Sequence, residues 1–257
     1  MPGHVTRISI APVKSLGLVH PDEVELGPRG VVGNRRFWLV DADRRLYNNK
    51  RDGPLVRIHP DWDEATRSLE LTFPDGTRLA GTVELGDPFD VQMYGYPLAS
   101  RRVVGPWQEA ISECAGERLT LLWADECAPD RLHAGTASIV SRASLDRLAA
   151  EAGVDGLDGR RFRMLFEVDG VGPHEEDGWI GTRVRVGDAV VQVNGDVGRC
   201  VVTSHDPDTG VPTVDTLKAL ARYRREGRTE PLPFGIYGSV ASPGLVRVGD
   251  PIASGLY

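Results

Sequence analysis

The residues best equipped for chemistry in this sequence sit in four short segments. GDVGRCVVTSHDPDTG, residues 195–210, places Cys200 behind a turn flanked by Gly195 and Gly198 and beside the cation Arg199. A thiol at the mouth of a strand after such a turn can point into a cleft, and an adjacent cation favours the thiolate, the form that attacks or binds metals. The same residue types also describe a small buried hydrophobe, the usual fate of a free cysteine. Ala11-Pro12-Val13-Lys14-Ser15 ends a strand in a turn carrying a point charge and a short donor, a pair suited to a phosphate oxygen or to solvent alone. In Asn34-Arg35-Arg36-Phe37-Trp38-Leu39-Val40-Asp41, strand alternation predicts Arg36, Trp38 and Val40 on one face and Phe37, Leu39 and Asp41 on the other. Arg36 then either snorkels to the surface or meets an anion. Arg160-Arg161-Phe162-Arg163-Met164-Leu165-Phe166 runs charge into an apolar strand, where a guanidinium needs a carboxylate or a bound anion.

Composition narrows the chemistry. Among 257 residues, 30 Lys and Arg stand against 37 Asp and Glu, a formal charge of −7. Nucleic-acid binding neutralises many phosphates at once, so this balance argues against it, and any anion must be held by a local cluster. Cys114, Cys127 and Cys200 form an odd set without CxxC spacing, which supports neither a disulfide framework nor a four-thiolate zinc or iron–sulfur site. The six histidines never fall at ligand spacing, and His174-Glu175-Glu176-Asp177 reads as a solvated acidic loop. GxxxxGK[ST], GxSxG and strand-to-helix GxGxxG motifs are absent from the sequence. No run approaches 18 apolar residues and the N-terminus alternates polar with apolar, so the sequence predicts a soluble, cytoplasmic protein without membrane contact.

The elements that must position these residues read as mostly β with a few α-helices, an α+β fold. Thirty glycines and 18 prolines punctuate short apolar runs. Strands are expected at 5–10, 36–41, 55–58, 68–73, 119–123, 162–168, 189–193, 200–204, 234–240 and 245–248, with Pro74-Asp75-Gly76 as a hairpin turn. Three helices are expected. The first opens at Pro106 and buries Trp107, Ala110, Ile111 and Cys114. The second is capped by Ser141, buries Leu145, Leu148, Ala149 and Ala152, and stops at Gly153. The third is capped by Thr213, turns Leu217, Leu220 and Ala221 inward, and carries Arg222, Arg224 and Arg225 near its C-terminal end. The turn-rich stretch ADECAPDRLHAG suggests a domain boundary near residue 125.

In order, APVKS at 11–15, RRFWLVD at 35–41, SRASLDRLA at 141–149, RFR at 161–163, GRCVVTSHDPDTG at 198–210, FGIY at 234–237 and LVRVGDPI at 245–252 resemble the MOSC family. That name denotes the molybdenum cofactor sulfurase C-terminal domain, here with the N-terminal β-barrel domain that commonly precedes it, and the likeness is to the amidoxime-reducing branch. The resemblance implies an N-terminal β-barrel-like domain, residues 1–125, packed on a MOSC β-barrel domain, residues 126–257. It implies a molybdenum cofactor, a pyranopterin dithiolene whose metal takes the soft thiolate of Cys200 as its protein ligand. Cys200 is then the catalytic and metal-binding residue, and Lys14, Ser15, Arg36 and Arg163 hold the cofactor's phosphate and pterin.

The implied activity is a pyridoxal phosphate-independent oxidoreductase that reduces N-hydroxylated compounds: amidoximes, hydroxylamines and N-hydroxylated bases. Two electrons with protons per N–O bond, releasing water, would come from an external electron-transfer protein such as a flavin reductase, a ferredoxin or a cytochrome b5-like donor. One alternative is a sulfur or molybdenum cofactor carrier using a Cys200 persulfide. Another is a non-enzymatic β-rich module binding a small anionic ligand through Arg36 and Arg163. The chain departs from the family pattern where Met164-Leu165 replace Pro-Asn, where Asn34 replaces an acid, and where Asn48-Asn49-Lys50 replace a segment ending in arginine. Around 133–138 only Thr136 and Ser138 offer hydroxyls. These departures bear on substrate range.

Overall fold

A computed structural model describes residues 3–93, 95–125 and 132–256. Its largest sheet runs, edge to edge, His4–Ile8, Phe166–Asp169, Ala137–Ser141, Pro233–Ser242, Ala189–Gly198, Arg183–Val186 and Ile252–Leu256. The two edges meet: His4 bridges Pro251, Val5 N donates to the Asp250 carbonyl at 2.9 Å, and Ile252 N donates to the Gly3 carbonyl at 2.7 Å. The sheet thus curls nearly into a barrel, which removes the exposed strand edges a flat sheet would leave. Its interior is an apolar cluster that includes Val5, Ile8, Phe166, Val168, Val184, Val191 and Ile236.

A second unit is built on the five-stranded sheet Leu46–Tyr47, Phe37–Val40, Thr120–Ala124, Ser100–Val104 and Glu84–Pro88, beside the meander His59–Asp63, Ser68–Thr72 and Arg78–Thr82. All four residues of Phe37–Val40 are buried. Alternation sends Phe37 and Leu39 into one apolar cluster and Trp38 and Val40 into another, so this strand is covered on both faces. The first strand of the chain pairs in the barrel of the later residues, and Glu23–Gly27 pairs with Gly244–Arg247. Among the described residues no helix is long and apolar enough to cross a membrane.

The three expected helices form: α1 (Trp107–Ala115), α2 (Arg142–Ala152) and α3 (Thr216–Tyr223). Helix α2 starts where Ser141 Oγ accepts from Ser144 N and stops at Gly153, whose φ of 73° gives the left-handed cap that glycine tolerates. It also carries the chain between Ala137–Ser141 and Phe166–Asp169, which run parallel and so need such a crossover.

Other expectations give way. Cys114 is exposed because the core-facing side of α1 steps through Trp107, Ile111 and the partly buried Ala115, which turns Cys114 away from the core. Asp215, not Thr213, caps α3, accepting from Lys218 N at 3.0 Å; the frame moves, so Thr216, Ala219 and Leu220 face inward and Ala221 faces solvent. Segments 55–58 and 200–204 are 3-10 turns instead of strands, Gly53–Arg57 with proline at its start and Val201–Ser204. The strand expected from 162 begins only at Phe166, because Gly159–Phe162 forms a 3-10 turn ending on Arg163. The 174–177 loop is solvated only in part: Glu175 is exposed, but Glu176 is fully buried, accepting from Ser141 N, Ser141 Oγ and Ser144 Oγ at 3.2, 3.1 and 2.8 Å. Cys127 and the rest of 126–131, where the turn-rich boundary stretch runs, lie outside the described residues.

Candidate functional site

Two segments of the second unit zip together to make one wall of the site. Arg35 N donates to the Ala11 carbonyl at 2.7 Å, Phe37 N to the Pro12 carbonyl at 3.0 Å, and Lys14 N to the Phe37 carbonyl at 2.7 Å. Asn34 Oδ1 accepts from Ala11 N at 3.0 Å, so this side-chain amide serves the backbone. Asn49 Nδ2 then reaches the Ser15 carbonyl at 2.6 Å, fixing the turn from the side. The opposite wall comes from the barrel. Arg199 follows the strand Ala189–Gly198 and is forked onto the Phe234 carbonyl, the Phe162 carbonyl at 3.1 Å and Met164 Sδ at 2.8 Å. Met164 thus helps hold the residue preceding Cys200. The Cys200 carbonyl accepts from Thr203 N at 3.1 Å and from Thr203 Oγ1 at 3.0 Å, and this closes the turn beneath the half-buried thiol.

Between the walls lies a cavity of about 170 Å³. Lys14, Ser15, Arg163 and Cys200 line it together, although 186 residues of chain separate the first of these from the last (200 − 14). Arg35, Lys50, Arg161 and Arg199 complete a set of six cations with Lys14 and Arg163, and no Asp or Glu is among the described lining residues. In a chain of charge −7 this is a local reversal of sign built to attract an anion.

Arg36 is the exception among the residues singled out from the sequence: it lies outside the cavity wall. Its guanidinium stacks on Trp123 at 4.6 Å, donates to the Ala124 carbonyl at 3.3 Å and pairs with Glu64 at 3.3 Å. The reason is register. The strand starts at Phe37, so Arg35 and Arg36 belong to the preceding turn and not to the strand's alternation, and Arg35, with φ of 54°, turns to the cavity instead. Arg35, Asn49, Lys50, Arg161 and Arg199 line the cavity although the sequence reading assigned none of them to the cofactor; the doublet Arg35-Arg36 after Gly33 was the visible signal for the first of them, and the place of Arg199 beside Cys200 for the last.

Three of the seven described non-glycine residues with positive φ lie in the cavity wall. Ser15, Arg35 and Arg163 hold φ of 79°, 54° and 52°, the left-handed region that side chains avoid. Such conformations persist only where the surroundings over-determine them, and they concentrate at ligand sites. Arg163 is braced by its own Nη2, which donates to the Leu16 carbonyl at 2.8 Å. Ser138 lines the cavity with its Oγ accepting from Leu165 N at 2.9 Å, which leaves its proton to donate. Thr136 instead lines a smaller neighbouring pocket, where its Oγ1 is buried with no partner.

Beyond the cavity wall, the segment that follows Asn48 to Lys50 brings Gly53 against the backbone of Gly210 in the loop 206–210. A Cβ on Gly53 would fall well inside 3.0 Å of the Gly210 carbonyl. Gly53 does not hold a left-handed φ, so Gly53→Ala tests contact without strain. We expect it to cost about 2 kcal/mol or more, the overpacking range, lowering Tm by roughly 5 °C. Gly76→Ala, whose methyl meets nothing within 4 Å, should cost only the left-handed strain at that turn, about 1 kcal/mol. Thermal denaturation of the pair decides; equal losses would mean the two loops are not locked.

The donor set limits what metal can bind. No group of three or more His, Cys, Asp or Glu able to hold a metal occurs among the described residues. One thiol beside a cationic, acid-free cavity fits a metal that arrives with most of its ligands on an anionic cofactor, the arrangement of a dithiolene-bound molybdenum. The residues present therefore fit that group.

The MOSC domain model matches residues 130–253, and the MOSC N-terminal beta barrel domain model matches residues 2–106. The chain is 25% identical over 280 residues to mitochondrial amidoxime-reducing component 1 of Mus musculus, covering 97% of this chain and 82% of that protein. It is 23% identical over 272 residues to the molybdenum cofactor sulfurase of Danio rerio, covering 91% of this chain and 31% of that protein. The crystal structure of the YUAD protein from Bacillus subtilis aligns over 98% of this chain and 94% of its own, with 14% identity and a TM-score of 0.48. Sequence, mostly β fold and site together place this chain in the MOSC family, as a MOSC domain preceded by the MOSC N-terminal β-barrel domain.

Proposed function

We propose that this protein is a molybdenum cofactor-dependent oxidoreductase that reduces N-hydroxylated compounds with electrons from an external donor protein. The observation that carries the reading is Cys200 in the wall of a cavity lined by six cations and, among the described residues, no carboxylate. Similarity to amidoxime-reducing proteins over 97% of the chain supports the reaction class.

When bound, the cofactor supplies the two-electron chemistry that cleaves an N–O bond. The chain supplies everything around it. Cys200 is the single protein ligand. Lys14, Ser15, Arg35 and Arg163 hold the anionic and polar parts of the pterin, Lys14 as a point charge and the arginines as planar forks. Ser138, with its proton free of the Leu165 amide, donates to the substrate's N–OH oxygen and orients it. The acidic chain offers its surface charge to a donor with a basic docking face.

Protein purified from a cofactor-competent host should contain one equivalent of molybdenum and convert benzamidoxime to benzamidine in the presence of a reductant. Metal-free protein bearing cyanolysable sulfur would point to a persulfide carrier, the role suggested by the sulfurase relative. Loaded protein that turns over none of several N-hydroxy compounds would defeat the reductase.

A further inference from the structure

A smaller cavity of about 40 Å³ adjoins the main one, and Arg161 and Arg163 belong to the walls of both. At roughly 10–15 Å³ per water it has room for a few waters, or for one oxyanion in their place. Arg161 is the anomaly in it. Its side chain is 8% exposed and its counter-charge is incomplete. Nη1 donates to the Ser204 carbonyl at 3.3 Å and Nη2 to Thr213 Oγ1 at 2.8 Å, both neutral acceptors; Nε is buried with no partner; and the ion pair to Asp206 Oδ2 spans 3.7 Å.

The carboxylates lining this chamber have most of their acceptors engaged elsewhere, and Asp206 Oδ2 reaches Arg161 only at 3.7 Å. Asp206 Oδ1 accepts from Asp208 N, Thr209 N and Thr209 Oγ1 at 3.1, 2.9 and 3.0 Å, and the Arg160 fork takes both oxygens of Asp208 at 2.7 and 2.9 Å. Burial pulls the Arg161 pKa down, against the upward pull of Asp206 and Asp158. His205 lines the same chamber, and its buried Nδ1 also lacks a partner. Burial and then the charge of Arg161 lower its pKa, which keeps the imidazole neutral at pH 7 and able to donate one N–H. A buried guanidinium short of counter-charge is costly, and a bound anion relieves that cost.

We propose that Arg161 and His205 form an anion subsite in this side chamber, taking a phosphoryl group on a molecule whose remainder fills the main cavity. The proposal rests on the molybdoenzyme reading only for the two sources of that group: a second phosphoryl of a dinucleotide form of the pterin, or the phosphate of a nucleotide bearing an N-hydroxylated base.

Calorimetric titration of metal-free protein with inorganic phosphate tests the subsite apart from any activity. Wild type should bind two phosphates, one at the Lys14–Ser15 turn and one in the chamber. Arg161→Gln should bind one, Arg161→Lys should retain the second at least tenfold more weakly, and His205→Gln should weaken it severalfold. Stoichiometry and affinity unchanged in both Arg161→Gln and His205→Gln would overturn the proposal, and the histidine variant decides if the arginine variant does not fold. Cofactor-loaded protein then separates the sources. If the pterin's own phosphoryl fills the chamber, loaded protein binds no phosphate and the extracted cofactor releases a nucleotide on acid hydrolysis. If a substrate fills it, one phosphate site remains, and His205→Gln, whose side chain lines only the side chamber, raises KM severalfold for the phosphorylated substrate while sparing the unphosphorylated one. Absence of molybdenum in the native protein would defeat the proposed function and leave the phosphate count untouched.

Discussion

Alanine at position 200 is expected to empty the protein of molybdenum and abolish reduction of N-hydroxy compounds while leaving the fold intact. The separation of effects follows from which atoms of Cys200 do structural work. Its carbonyl, not its sulfur, accepts from Thr203, and its φ of −130° and ψ of 177° suit any residue. The thiol is half-buried at a cavity wall, so removing it leaves little new void and should cost at most about 1 kcal/mol. As the only protein ligand offered to the metal, however, it has no substitute, because no alternative cluster of ligating side chains lies among the described residues. Loss of bound metal should exceed the roughly 10–100-fold typical of changing a residue that merely supports a ligand. Metal analysis by mass spectrometry, with Tm measured in parallel, checks both halves. Cys114→Ala, at an exposed helix end, should change neither. A Cys200→Ala protein that kept a full equivalent of molybdenum and its turnover would show that the thiol is a packing atom after all.

Much of this site was legible in the sequence, and what was not has definite physical causes. Local signals read true where the chemistry is local: Ser141 as a cap and Gly153 as a stop rest on hydrogen bonds within four residues. The turn at Pro74-Asp75-Gly76 likewise joins two strands that pair directly, Ser68–Thr72 and Arg78–Thr82. Parity along a strand is weaker evidence, since it says which residues alternate but not where the strand begins, and one residue of error exchanged Arg35 for Arg36. Capping of α3 failed in the same way, by a two-residue shift from Thr213 to Asp215. Hardest to see were contacts across the chain. Nothing near Glu176 announces Ser141 and Ser144, and nothing near Asn49 announces the Ser15 carbonyl. Arg161 looked like one charge among three, yet its burial against Ser204 and Thr213 depends on a turn over 40 residues away. Ordered motifs that resemble a family supplied Lys14, Ser15, Arg36, Arg163 and Cys200, and all but Arg36 line one cavity, because homology carries long-range placement that periodicity cannot.

Acid should expose a second large effect, centred on His174 instead of the cavity itself. Burial first, then the charges of Arg224 and Arg147, pull the His174 pKa from its ordinary 6.5 to about 4. The folded protein therefore keeps this imidazole neutral while the unfolded chain protonates it. Stability from the neutral ring is fully present above pH 6.5 and is lost as pH falls toward 4, a change of about 3 kcal/mol at 1.36 kcal/mol per unit. Glu176 and Asp177 act in the opposite direction, because burial raises both and the folded state gains protons as pH falls. The raw acid curve is then a sum of opposed effects, and the decisive quantity is the difference between wild type and His174→Asn, a residue that tolerates the left-handed φ of 58° at this position. Measured by urea unfolding, that difference should shrink by about 3 kcal/mol between pH 7.5 and pH 4. A constant difference would mean that the ring is solvated and carries no burden. The consequence reaches the site because His174 contacts Phe234 edge-on at 5.8 Å, and the Phe234 carbonyl is the acceptor that holds Arg199 next to Cys200. Protonating His174 loosens the packing behind that carbonyl, so metal retention in wild type should weaken over the same pH range and do so less in His174→Asn.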